Sequence, residues 1–113
     1  MKEDVKYLQH IAECIRNVEE FVVEVHKKAF CENIEKQYAV VRGIEIIGEA
    51  VKNLSTTLKK DHPAIVWRDI AGTRDILIHS YFSVDLDLVW NIVQKDLPLL
   101  KEAVVVLLKE EKQ

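Results

Sequence analysis

Between residues 37 and 58 one stripe of positions recurs by threes and fours: Gln37, Val40, Ile44, Ile47, Val51, Leu54 and Leu58. On an α-helix each residue advances by about 100°, so this spacing puts the apolar side chains on one face and leaves the opposite face polar. A strand would scatter the same residues over both faces. Such a stripe needs a second one to pack against. Leu8, Ile11, Ile15, Val18, Phe21 or Val22, and Val25 supply it, predicting a first helix from residue 3 to about 25 with Lys6, Glu13, Arg16, Glu20 and Glu24 on its outer side. The expected fold class is all-α, an antiparallel bundle of four to five helices. Composition agrees: 49% of the residues are apolar and 31% charged, and three glycines and two prolines are few turn formers for a sheet protein. The 113 residues fit a single domain spanning 1–113.

Punctuation along the chain sets the remaining expectations. His26-Lys27-Lys28 would place cations at the C-terminal end of the first helix, where they favour its dipole. The second helix should run from Asn33 to about Leu58. Gly43 and Gly48 interrupt it, each at about 1 kcal/mol relative to alanine, so a close helix crossing is expected to compensate. His62-Pro63 ends the helical run, because the residue before proline is pushed out of the α region. Trp67 should anchor in the core a third helix of about 67–80, with Gly72 again marking close packing. Ser83 reads as the N-cap of a fourth helix carrying Asp85 and Asp87 in its first turn and continuing through Leu86, Val89, Trp90 and Val93 to Asp96. Pro98 should kink or briefly break it. Val104 to Leu108 is apolar for five residues, more than one helical face can bury, and a partner chain would cover the excess.

Charge and residue type exclude several classes of function. A net charge of −3 gives no broad basic face for nucleic acid, so any RNA would be held locally. No apolar run approaches the roughly 20 residues of a membrane span, and the charged start of the chain lacks a signal-peptide core, so a cytoplasmic protein without membrane contact is expected. Cys14 and Cys31 lie 17 residues apart outside any metal-ligand spacing and read as buried, reduced thiols. Glu45 and Glu49 read as salt-bridge partners of Arg42 or Arg74, and no metal or cofactor is expected.

One stretch concentrates chemistry: Arg74-Asp75-Ile76-Leu77-Ile78-His79-Ser80-Tyr81. A guanidinium, a carboxylate, an imidazole and a phenol fall within eight residues, the groups that phosphate chemistry uses. On a regular helix Arg74 shares a stripe with Ile70, Leu77, Ile78 and Tyr81, so the guanidinium leaves the packing face and needs a partner or a cleft. Asp75 and His79, four apart, are neighbours, and the carboxylate can fix the imidazole's tautomer. His79 lies about 140° around from Arg74, so the two converge only where the helix ends near His79 or where two copies of the chain meet.

The pattern Arg-x4-His-x-Tyr, with the blocks Arg42-Gly43-Ile44-Glu45-Ile46-Ile47-Gly48-Glu49-Ala50, Trp67-Arg68-Asp69-Ile70-Ala71-Gly72 and Tyr81-Phe82-Ser83-Val84-Asp85-Leu86, resembles the HepT-like toxin branch of the HEPN superfamily in kind and order over most of residues 40–98. The resemblance implies a HEPN-type bundle forming a two-fold homodimer. It implies a metal-independent endoribonuclease, the toxin of a toxin–antitoxin pair, whose composite site at the dimer interface uses Arg74 and His79 as catalytic residues and Asp75 in support. It also implies that Tyr81 is adenylylated, with ATP, by a partner nucleotidyltransferase of the MNT type acting as antitoxin. Two readings of other classes stay open: a non-catalytic nucleotide-binding or scaffold subunit of a nucleotidyltransferase complex, and a structural dimer in which Arg74 and His79 only bridge the interface.

Overall fold

The first stripe forms α1, Lys2–Phe21, and buries Leu8, Ile11, Cys14, Ile15 and Val18. The structure is a computed structural model and describes residues 2–63, 65, 67, 69–72 and 85–111. The second stripe forms α3, Ile34–Lys52, which buries Val40, Ile44, Ile47 and Val51 against α1. Leu54 and Leu58 continue the buried stripe beyond the helix end. Every described residue in a regular element is helical.

Two anchors set the direction of the α1–α3 pair. At one end both carboxylate oxygens of Asp4, itself buried, accept from Ser55: the backbone N–H at 2.8 Å and the hydroxyl at 2.6 Å. At the other end the Lys36 ammonium donates to the Phe21 carbonyl at 2.8 Å. The start of one helix therefore lies beside the end of the other, and the pair is antiparallel. Gly43 sits at its closest approach: a Cβ added there would lie 2.5 Å from Cγ2 of Val18. The crossing expected at Gly43 is present. At Gly72 an added Cβ would meet no atom within 4 Å among the described residues.

The first helix ends four residues earlier than its periodicity predicts. Val22, Val23 and Val25 are β-branched and poor helix formers, and Glu24 adopts a left-handed φ of 59° that reverses the chain. A short helix α2, Lys27–Glu32, follows, so Lys27 and Lys28 open a helix instead of closing one, contrary to the dipole argument. Lys27 offsets that placement through a 2.7 Å ion pair with Asp87. Asn33 then caps α3 by accepting from Lys36 N–H at 3.0 Å.

The helix expected to reach Leu58 is also interrupted. After Lys52 the chain turns at Asn53 and Leu54, and Ser55 caps α4, Thr56–Asp61, by accepting from Leu58 N–H. The stop at His62-Pro63 is where the spacing places it. The next cap is Asp85, which accepts from Leu88 N–H at 3.1 Å and starts α5, Leu86–Asn91. Ser83, the predicted cap, lies outside the described residues; Asp85, expected in the first turn, is the cap, accepting from the N–H three residues on.

The helical run passes through Pro98, and its regular α-helical bonding is interrupted just ahead of that residue. Residues Ile92–Asp96 form a π-turn, in which Leu97 N–H donates to the Ile92 carbonyl, and α6, Leu97–Glu111, follows directly. The wider turn accommodates a ring that lacks an N–H and would crowd the preceding carbonyls of a regular α-helix. α6 packs on α1 through Leu100, Val104 and Leu107, and Lys101 pairs with Glu19 at 2.9 Å, which makes α6 antiparallel to α1 as well. Val105 and Val106 are exposed, so the apolar run does exceed what this chain buries.

Candidate functional site

Arg74, Asp75, His79 and Tyr81 lie outside the described residues. The structure describes what holds the chain on either side of them. Ahead of the motif, residues 67 and 69–72 are helical, and Trp67 is buried with its indole N–H donating to the His62 carbonyl at 3.2 Å. That places the indole in the core, as its approach predicts, and ties it to the end of α4. The His62 imidazole lies 3.5 Å from the Glu110 carboxylate, linking the same corner to the end of α6. Beyond the motif, Asp85 caps α5 and Asp87 holds Lys27. The hydrogen bond and charge attraction of Asp87 raise the Lys27 pKa above the ordinary lysine value. Phe30 and Trp90 pack at a ring separation of 5.3 Å, so α2 is fixed to α5 by an apolar contact beside that ion pair. The motif segment thus departs from and returns to anchored structure.

Two depressions flank this frame. One is a groove of about 540 Å³ between α1 and α3 whose lining includes Tyr7, His10, Arg42, Glu45, Glu49 and Asn53. Arg42 pairs with Glu45 at 3.3 Å, which confirms one of the salt-bridge pairings read from the sequence. Glu49 is engaged as well. The other is a cavity of about 360 Å³ against the helical residues leading to the motif. Ile44 and Ile47 of α3, Ile70, and Ile92 of the π-turn form its walls, and the ionisable groups among its described lining residues are Asp69 and Asp96. Sequence reasoning did not single out these two aspartates. Asp96 carried a signal, an acidic residue two positions before a proline that distorts its helix, and Ile70 carried another as the residue one turn ahead of Arg74.

Among the described residues no group of three or more His, Cys, Asp or Glu could hold a metal ion. Cys14 is a buried free thiol, and burial followed by the nearby Glu13 carboxylate raises its pKa; Cys31 is free and half-buried. Among the described residues no helix is long and apolar enough to cross a membrane.

Comparison with known proteins gives the frame a family. A family model described as Ribonuclease HepT-like matches residues 11–107, a span that contains the whole Arg74-to-Tyr81 stretch. The chain is 47% identical over 95 residues to a Thermococcus cleftensis protein named "Probable ribonuclease HepT", covering 84% of this chain and 86% of that one. It is 41% identical over 117 residues to a Caldanaerobacter subterraneus subsp. tengcongensis protein named "Putative RNase", covering 99% of this chain and all of that one, at 100%. A Methanocaldococcus jannaschii protein named "Gamma-glutamylcyclotransferase and putative RNase" is 45% identical over 111 residues, 97% of this chain, which spans only 50% of that protein's length. No solved structure matches the chain. A match over residues 11–107, with relatives of this similarity along nearly their full length, shows that the chain belongs to the ribonuclease HepT-like family.

Proposed function

We propose that this chain is a metal-independent endoribonuclease, the toxin of a toxin–antitoxin pair, acting as a homodimer whose two copies of Arg74 and His79 converge on one RNA phosphodiester. The observation that carries the reading is the family match across residues 11–107 together with the Arg74-x4-His79-x-Tyr81 pattern inside it. RNA brings its own nucleophile, so the protein need only position, move protons and stabilise charge. His79 takes the proton of the 2′-hydroxyl as its oxygen attacks phosphorus, and the P–O5′ bond breaks. An imidazolium returns a proton to the leaving 5′-oxygen. Arg74 binds the phosphoryl oxygens, where charge builds, and Asp75 orients His79. The products are a 2′,3′-cyclic phosphate and a 5′-hydroxyl end.

Dimerisation answers the charge problem of an acidic chain by gathering cations from two protomers in one cleft. The exposed Val105 and Val106 of α6 support a partner chain, since they leave apolar surface this chain does not cover. Tyr81 is the regulatory position: its phenol oxygen attacks the α-phosphorus of ATP on the nucleotidyltransferase, pyrophosphate leaves, and the appended phosphate repels RNA from the site.

The test is RNA cleavage by wild type, Arg74→Ala and His79→Ala, with melting temperature and solution mass measured in parallel. Loss of cutting in both variants at unchanged stability and dimer mass supports the reading, as does an adenylyl mass increase on Tyr81 when the nucleotidyltransferase is co-expressed. Equal RNA loss with wild type and His79→Ala would assign the activity to a contaminant and favour the nucleotide-binding or scaffold subunit.

A further inference from the structure

The cavity lined by Ile44, Ile70 and Asp96 has a chemistry that phosphodiester cleavage does not use. Its volume of about 360 Å³ lies in the range of small-molecule sites, which are mostly apolar with a few placed polar groups. Aliphatic walls from Ile44, Ile47, Ile70 and Ile92 suit the faces of a flat ring. No lysine, arginine or histidine occurs among its described lining residues. Asp69 at its mouth is already engaged. Asp96 is exposed and has no hydrogen-bond or ion-pair partner among the described residues, so its carboxylate is available to accept from an N–H group. Ile92 and Asp96 are also the first and last residues of the π-turn, a distortion that recurs at functional sites. In the sequence Asp69 and Ile70 precede Arg74 by five and four residues.

We propose that this cavity binds one unpaired nucleobase bearing an exocyclic amine, with Asp96 accepting a hydrogen bond from that amine. The base stacks on the isoleucine walls. Uracil presents a carbonyl where cytosine presents the amine, so the exocyclic hydrogen bond to Asp96 is lost and N3–H is the one donor left on that edge. The binding stands on the cavity alone; that the base belongs to an RNA next to its cleaved linkage rests on the ribonuclease reading above.

Cytidine and uridine are the probe pair, since their rings are the same size and they differ only at position 4 and in the proton on N3. The methyl NMR signals of Ile44, Ile47, Ile70 and Ile92 should shift saturably with cytidine, with an affinity at least tenfold greater than for uridine. Asp96→Asn, at an exposed position, should melt like wild type and lose the preference. Equal shifts with the two nucleosides, no shift with either, or an unchanged preference in Asp96→Asn would overturn the proposal. The source of the base is read from oligoribonucleotides with a single C or U beside the cleaved linkage. Faster cutting next to C by wild type but not by Asp96→Asn supports an RNA base. Cytidine binding with cleavage indifferent to the neighbour would overturn that part and make the cavity a free-nucleoside site. Cytidine binding without any RNA cleavage would sink the ribonuclease reading and leave the cavity assignment standing.

Discussion

Replacing Gly43 by alanine tests whether the α1–α3 crossing depends on a missing side chain. The added Cβ would lie 2.5 Å from Cγ2 of Val18, where carbons prefer about 3.5–4.0 Å, so one of them must move by about 1 Å. Val18 has little freedom to do so: it is fully buried, and valine in a helix holds essentially one χ1 rotamer. Overpacking of this kind costs about 1–3 kcal/mol. Alanine returns about 1 kcal/mol of helix propensity. The net loss is then about 0–2 kcal/mol, or a Tm drop of up to about 10 °C for a domain of this size. Because the two effects oppose, the single variant is ambiguous and a double-mutant cycle is the proper assay. In a Val18→Ala background the obstructing methyl is gone and only the propensity gain remains, so Gly43→Ala should stabilise there. Urea unfolding followed by circular dichroism, at one protein concentration, should give a coupling energy of about 1–3 kcal/mol between the two positions. A coupling below about 0.5 kcal/mol would refute the steric argument.

Three further outcomes follow from the packing. Asp4→Ala removes the acceptor of both Ser55 donors and should cost about 2–4 kcal/mol in urea unfolding, with Asp4→Asn recovering part of it; a loss within 0.5 kcal/mol would show that the clasp is idle. Cys14, whose pKa is raised above the ordinary 9.0 mainly by burial, should resist iodoacetamide in the native protein well past neutral pH and react promptly in denaturant, while half-buried Cys31 labels first; peptide mass mapping decides. The Lys27 pKa is raised above 10.5 by Asp87, so the stabilisation linked to that shift is fully present below 10.5 and is lost as pH rises through the folded value. The stability difference between wild type and Lys27→Met should accordingly be flat from pH 7 to 9 and shrink only in the alkaline range beyond 10.5, with an earlier decline counting against the Lys27–Asp87 pairing.

The two longest stripes were legible because they are periodic. Leu8 to Val18 and Val40 to Leu58 are buried as their spacing requires. The ends of those helices were not legible, because contacts distant in sequence set them. The chain turns before Ser55 where Asp4, 51 residues away, takes its N–H and hydroxyl. It turns after Phe21, whose carbonyl is taken by Lys36. Lys27 and Lys28 looked like the end of α1 because the left-handed Glu24 between them and that helix leaves no mark in hydrophobic spacing. At the site, the motif residues Arg74, Asp75, His79 and Tyr81 were legible as residue types in a recognisable order, as was Arg42 with Glu45. The cavity was not, since Ile44, Ile70 and Asp96 are brought together by three separate parts of the chain.

The π-turn at Ile92–Asp96 also gives the C-terminal arm slack in its length. A wide turn absorbs one surplus residue without rotating what comes after it, so excising a single residue there leaves room for an ordinary helix that keeps Val104 and Leu107 on α1. The same excision in the middle of α3 would swing every later side chain by about 100° and turn the seam outward. Natural variation in chain length should therefore be tolerated just ahead of Pro98 and rejected around Ile44, a pattern set by helical phase and independent of which residue is lost.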